Sequence, residues 1–141
     1  MAEGVLGPNG LCFSPDEKIL YIVESRGIPN RKILAYDLID GGRKLANKRV
    51  LIDAGADAPD GMRCDIDGNL WCGWGMRSAE LDGVMIFCAG RQTDRRIALP
   101  ERSANVCFGG LKRNRLFMAA SQSVYAALCQ YAGRAREASS S

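Results

Sequence analysis

The chain has 141 residues, a net charge of +3, and a composition that is 47% hydrophobic and 25% charged, which suits one folded domain and excludes a disordered polar segment. No apolar run approaches the roughly 18 residues of a membrane-crossing helix. The opening "MAEGVLGPNG" lacks the basic-then-apolar order of a secretory signal, so the expected location is cytoplasmic.

From Asn9, "NGLCFSPDEKILYIV" reads as a short strand, a polar turn "SPDE" and an apolar return strand. "KILAYDL" and "KRVLIDA" follow as two more strands across "IDGGRK". From Asp60, "DGMRCDIDGNLWCGW" repeats the hairpin, with Asp67-Gly68 favouring a tight reversal. "GVMIFCA" and "RRIALP" then continue it across "GRQTD". From Asn105, "NVCFGGLKRNRLFMAA" opens a third unit, which has only "SVYAALCQ" behind it. No stretch sustains a 3.6-residue apolar period between caps, so helices are expected to be few.

The three openings recur at intervals of roughly 45 to 50 residues, the period of four-stranded propeller blades. The predicted fold class is all-β: three consecutive blades of a six-bladed β-propeller in an incomplete ring. Residues 1–130 would form the partial propeller, with blades near 9–53 and 60–99 and an incomplete one at 104–130. Residues 131–141 would be a polar tail. Two packed antiparallel sheets are the competing architecture.

Chemistry is narrowed by what is missing. Histidine is absent, which removes Ser-His and Cys-His nucleophilic pairs from the chain. The six cysteines form no CxxC pair, and segments such as "LCF", "IFC" and "VCF" predict reduced, buried cysteine packed as a small hydrophobe. Between residues 91 and 115 the side chains of Arg91, Arg95, Arg96, Arg102, Lys112, Arg113 and Arg115 outnumber Asp94 and Glu101. They fall in turn-like stretches without a recognition motif, so the pattern predicts a solvated rim and no nucleic-acid partner. "GPNG" and "GRK" have neither the spacing nor the Lys-Ser/Thr ending of a phosphate loop. Strand alternation puts Leu70, Cys72 and Trp74 on one face and Trp71 on the other, for packing between blades or as a wall for a sugar ring.

The segments "PNGLCFSPDEKILYIVES", "PDGMRCDIDGNLWCGW" and "CFGGLKRNRLFMAA" closely resemble the gluconolactonase, regucalcin and senescence-marker family, in particular bacterial sugar-lactone hydrolases. The resemblance spans about residues 5 to 130 and is taken as the C-terminal half of the family's length. It implies a six-bladed propeller with one divalent metal at the inner end of the channel. Carried over by motif, it implies Asn9 and Asp60 as metal ligands, an amide oxygen and a carboxylate suited to calcium, magnesium or manganese, with zinc also accepted. Outside that pattern, Asn9-Gly10 and Asp60-Gly61 would be ordinary turn formers.

The implied reaction is metal-dependent hydrolysis of a sugar lactone to its aldonic acid, with Asp60 as the catalytic residue. A carboxylate bound to a cation is a weak base, so Asp60 is expected to act as ligand and hydrogen-bond acceptor for the attacking water. The family's third ligand, a Glu, has no counterpart at its place; Glu3-Gly4 lies too close to Asn9 to supply it. Asn105 is the candidate substrate contact, with a structural turn or cap as the alternative. Glu24 and Arg26 are weaker candidates for a channel role. The expected partners are a sugar lactone and a second copy of the chain that completes or covers the propeller, with no membrane. The competing functional class is a non-catalytic calcium-binding or assembly fragment.

Overall fold

The computed structural model describes residues 2–76, 78–88 and 95–130. Apolar alternation and polar turns yield eleven strands among them. The first sheet runs β1 (Pro8–Phe13), β2 (Ile19–Glu24), β3 (Arg31–Ile39) and β4 (Lys44–Gly55), each antiparallel to the next. The second repeats that order with β5 (Met62–Cys64), β6 (Leu70–Trp74), β7 (Gly83–Phe87) and β8 (Arg95–Ala98). The third has β9 (Ser103–Gly109), β10 (Arg115–Ala120) and β11 (Val124–Leu128). A short 3-10 turn, Ala79–Leu81, is the one helical element among the described residues. Residues 131–141, expected to be a polar tail, lie outside the described residues, as does the "GRQTD" turn.

Each opening hairpin is held by its own turn chemistry. In the first, Ser14 Oγ donates to Asp16 Oδ1 at 2.6 Å and accepts from Ile19 N at 3.0 Å. In the second, the fully buried Asp65 carboxylate accepts from Asp67 N, from Asn69 N and Nδ2, and from Trp71 Nε1, at 2.9 to 3.0 Å. Gly68 completes that turn at φ 86°, a conformation most side chains avoid. Four donors on one carboxylate compensate its removal from water.

Packing then decides between the two expected architectures. Cys12, Val23, Ile33, Ile52 and Ala54 of the first sheet meet Met62, Leu70, Cys72, Trp74 and Phe87 of the second. The other face of the second sheet places Trp71, Val84 and Ile86 against Val106, Phe108, Leu116 and Met118 of the third. Trp71 meets Phe108 edge-on at 5.4 Å between ring centroids. Each large side chain so buried contributes about 1.5–3 kcal/mol. A middle sheet covered on both faces is a serial stack and not a two-sheet sandwich. The fold is all-β, three consecutive antiparallel sheets in an open arrangement, as in part of a propeller.

The end sheets differ from the middle one. Ala2 and Val5 pack over Ile22, Leu34 and Tyr36 on the outer face of the first sheet. On the outer face of the third, register aligns Cys107 with Phe117 and Ala126, and Asn105 with Ala119 and Val124. Val124 and Leu128 there are about three-quarters exposed, at 74% and 75%. The expectation of a buried cysteine in "VCF" is therefore corrected: Cys107 is exposed, because no described residue packs on that side of β9. Cys12 and Cys72 are buried as expected.

Candidate functional site

The opening strands β1, β5 and β9 lie side by side. Two glycines allow this approach. A Cβ on Gly10 would lie 2.2 Å from the Asp60 carbonyl oxygen, and one on Gly61 would lie 2.2 Å from Asn105 Oδ1 and 2.9 Å from the Ala104 carbonyl oxygen. Neither glycine has positive φ. The Asn-Gly and Asp-Gly pairs are thus not turn formers; each glycine lets the next opening strand touch its backbone.

Backbone hydrogen bonds fix Asp60 from two sides. Asp60 N donates to Gly73 O at 2.9 Å, Gly73 N to Gly61 O at 2.8 Å, and Gly61 N to Ala104 O at 2.8 Å. The half-buried Asp60 carboxylate accepts a hydrogen bond from the Asn9 side chain. Burial raises its pKa above the ordinary carboxylate value; the Asn9 hydrogen bond, the Arg102 charge and the Gly61 N–H each oppose that rise without cancelling it. An amide and a carboxylate already in contact on anchored backbone form an all-oxygen donor pair, which fits a hard divalent cation. Among the described residues no group of three or more His, Cys, Asp or Glu side chains gathers in one place.

Other candidates take different places. Asn105 is exposed; its Oδ1 accepts from Val106 N at 2.9 Å and lies against Gly61, beside the site and turned back on its own strand. Buried Glu24 accepts from Leu6 N at 3.0 Å, which ties the N-terminal segment to the end of β2. Arg26 lays its stem against Gly7. Glu3 is exposed. Trp71 and Trp74 are both 4% exposed, and they pack between sheets on opposite faces of β6, not as a wall for a sugar.

Arg102 is the residue that the motifs did not single out. It stands just before β9, is exposed, and acts electrostatically on Asp60. Its signal was present in "GWG", because Gly75 leaves room for the Arg102 stem.

The family model described as the SMP-30/Gluconolactonase/LRE-like region matches residues 1–122. A gluconolactonase of Zymomonas mobilis is 35% identical over 136 residues, covering 86% of this chain and 34% of that protein. Regucalcin of Danio rerio is 32% identical over 116 residues, covering 78% and 36%. A solved gluconolactonase structure from Xanthomonas campestris superposes with a TM-score of 0.75 at 31% identity, over 89% of this chain and 38% of that one. The chain thus spans between about a third and two-fifths of the length of these relatives.

One expectation is corrected by these matches. The sequence resemblance reads as a C-terminal half of the family's length, with bacterial sugar-lactone hydrolases in particular. It runs instead through most of this chain, because the three stacked sheets superpose as one block, and it includes a regucalcin, as the resemblance implied. The chain belongs to the SMP-30/Gluconolactonase/LRE-like family.

Proposed function

We propose that the protein hydrolyses a sugar lactone to the corresponding aldonic acid, at a site built on Asn9 and Asp60 that holds a divalent cation. The observation that carries this reading is the side-chain contact between Asn9 and Asp60 in a chain of this family. When bound there, calcium, magnesium, manganese or zinc would supply Lewis-acid polarisation of the lactone carbonyl. Asn9 contributes its amide oxygen to the site and steadies the Asp60 carboxylate by donating to it. Asp60 contributes charge and accepts a hydrogen bond from the attacking water, which orients the water toward the carbonyl carbon. The ring C–O bond then breaks, leaving a carboxylic acid and a free hydroxyl. Asn105, adjacent to Gly61, is proposed to contact the sugar.

The open apolar face of the third sheet supports a second element of the reading, association with another copy of the chain. Calcium binding without turnover would use the same pair of residues and is separated by assay. Hydrolysis of glucono-1,5-lactone is measured against spontaneous opening, with and without manganese or calcium, on protein sized by light scattering. Metal-dependent turnover is expected, carried by a species larger than the monomer. Metal binding by folded protein without turnover would replace hydrolysis with cation binding.

A further inference from the structure

The end of β6 is a thin partition between Asp60 and the segment that leads into β9. On one side, Gly73 O accepts from Asp60 N at 2.9 Å. On the other, a Cβ on Gly73 would lie 2.6 Å from Ser103 O, and one on Gly75 would lie 2.1 Å from Arg102 Cγ and 2.5 Å from its Cδ. The aliphatic stem of Arg102 is thus seated directly on Gly75, and the buried Ser103 fixes the backbone behind it. The stem is held while the guanidinium is exposed.

That guanidinium takes part in neither the Lys44–Asp40 nor the Arg49–Asp37 ion pair and has no hydrogen-bond partner among the described residues. It borders a cleft lined by Met76, Ser78, Ala79 and Asp82. Asp82 shares this cleft without pairing to Arg102. A cation held by its stem, whose charge acts on Asp60 without forming an ion pair with it, is arranged to receive an anion, and the planar fork of arginine matches carboxylate and phosphate oxygens two at a time.

We propose that Arg102 is a specificity-determining residue that binds an anionic group, carboxylate or phosphate, carried by the substrate away from the ring-opening centre. The inference rests on the lactone reading for the identity of the substrate, but the anion site is testable apart from turnover. A neutral sugar lactone gives the guanidinium only hydroxyl partners. A lactone with a second acidic function gives it a charge-assisted pair, while Asn9 and Asp60 address the reacting end.

The test is calorimetric binding of gluconate, glucarate and 6-phosphogluconate to the wild-type chain and to Arg102→Met and Arg102→Lys, with manganese present and folding checked by circular dichroism. The wild type is expected to bind at least one of the two doubly acidic ligands about tenfold or more tightly than gluconate, the scale of a charge-assisted hydrogen bond. Preference for glucarate identifies a carboxylate, and preference for 6-phosphogluconate a phosphate. Arg102→Met should abolish the preference between the doubly acidic ligands and gluconate; Arg102→Lys should retain part of it. Equal wild-type affinity for all three ligands, no binding of any, or a preference that survives Arg102→Met would overturn the proposal. Loss of the lactone reading is a separate result: no turnover of any lactone, with the Arg102-dependent preference intact.

Discussion

The Asn9 side chain donates a hydrogen bond to the Asp60 carboxylate, although Asn9 belongs to β1 and Asp60 leads into β5 of the next sheet. The pair can meet because Gly10 has no side chain where the Asp60 backbone passes. Gly10→Ala would put a Cβ 2.2 Å from the Asp60 carbonyl oxygen, a backbone atom that cannot swing away. The substitution should cost about 1–3 kcal/mol, as overpacking does in a close-packed interior. Urea unfolding followed by circular dichroism measures it, and a midpoint equal to wild type would contradict the close approach.

Asp65 has no part in the proposed chemistry, yet its loss should be among the most damaging to the fold. Asp65→Ala leaves Asn69 Nδ2, Trp71 Nε1 and two backbone N–H groups without their shared acceptor. A loss of roughly 3–5 kcal/mol is expected, the scale of leaving several buried donors without an acceptor at about 1–3 kcal/mol each. The Trp71 fluorescence maximum should shift red in the same variant if the ring loosens from Phe108.

The cysteines should separate by reactivity. Burial pushes the thiols of Cys12, Cys64 and Cys72 up to about 12, so at neutral pH they hold almost no thiolate. Cys107 is exposed, on a face of the third sheet that no described residue covers. Iodoacetamide followed by peptide mass mapping should find Cys107 modified while Cys12 and Cys72 remain free. Early labelling at Cys72 would mean that the contact between the first and second sheets opens readily.

Acid should weaken the fold through carboxylates on the first sheet. The pKa of Asp37 is lowered by hydrogen bonds from Asn47 and Arg49, that of Asp53 by Gly55 N–H and Asn30, and that of Asp16 by Ser14 and Lys18 N–H. Each group binds its proton less readily folded than unfolded. Their stabilisation is therefore present above the unfolded pKa near 3.8 and lost as pH falls through the lower folded values. The urea midpoint should drop from about pH 5 to about pH 3, and Asp37→Asn should flatten that drop. An unchanged slope in the variant would remove Asp37 from the account.

The strands were legible because alternation and turn chemistry are local: "SPDE" and "DIDGN" close the hairpins they were expected to close. Asn9 and Asp60 stood out because the repeat places them at matching points. What Gly10, Gly61 and Gly75 do was not legible, since a close approach depends on a chain segment distant in sequence. Arg102 was overlooked for the same reason; in sequence it is one cation in a basic stretch, and only Gly75 gives its stem a seat. The exposure of Cys107 likewise depends on which end of the stack has no neighbour among the described residues, a property of the assembled sheets and not of "VCF".

The central claim is that Asn9 and Asp60 hold a divalent cation, and titration calorimetry of manganese and calcium into wild type and Asp60→Asn tests it most directly. The account predicts saturable binding in the wild type and affinity at least about tenfold weaker in Asp60→Asn, because oxygen sites depend on the charge their ligands carry. Binding unchanged in a folded Asp60→Asn protein, or absent from the wild type, would contradict it.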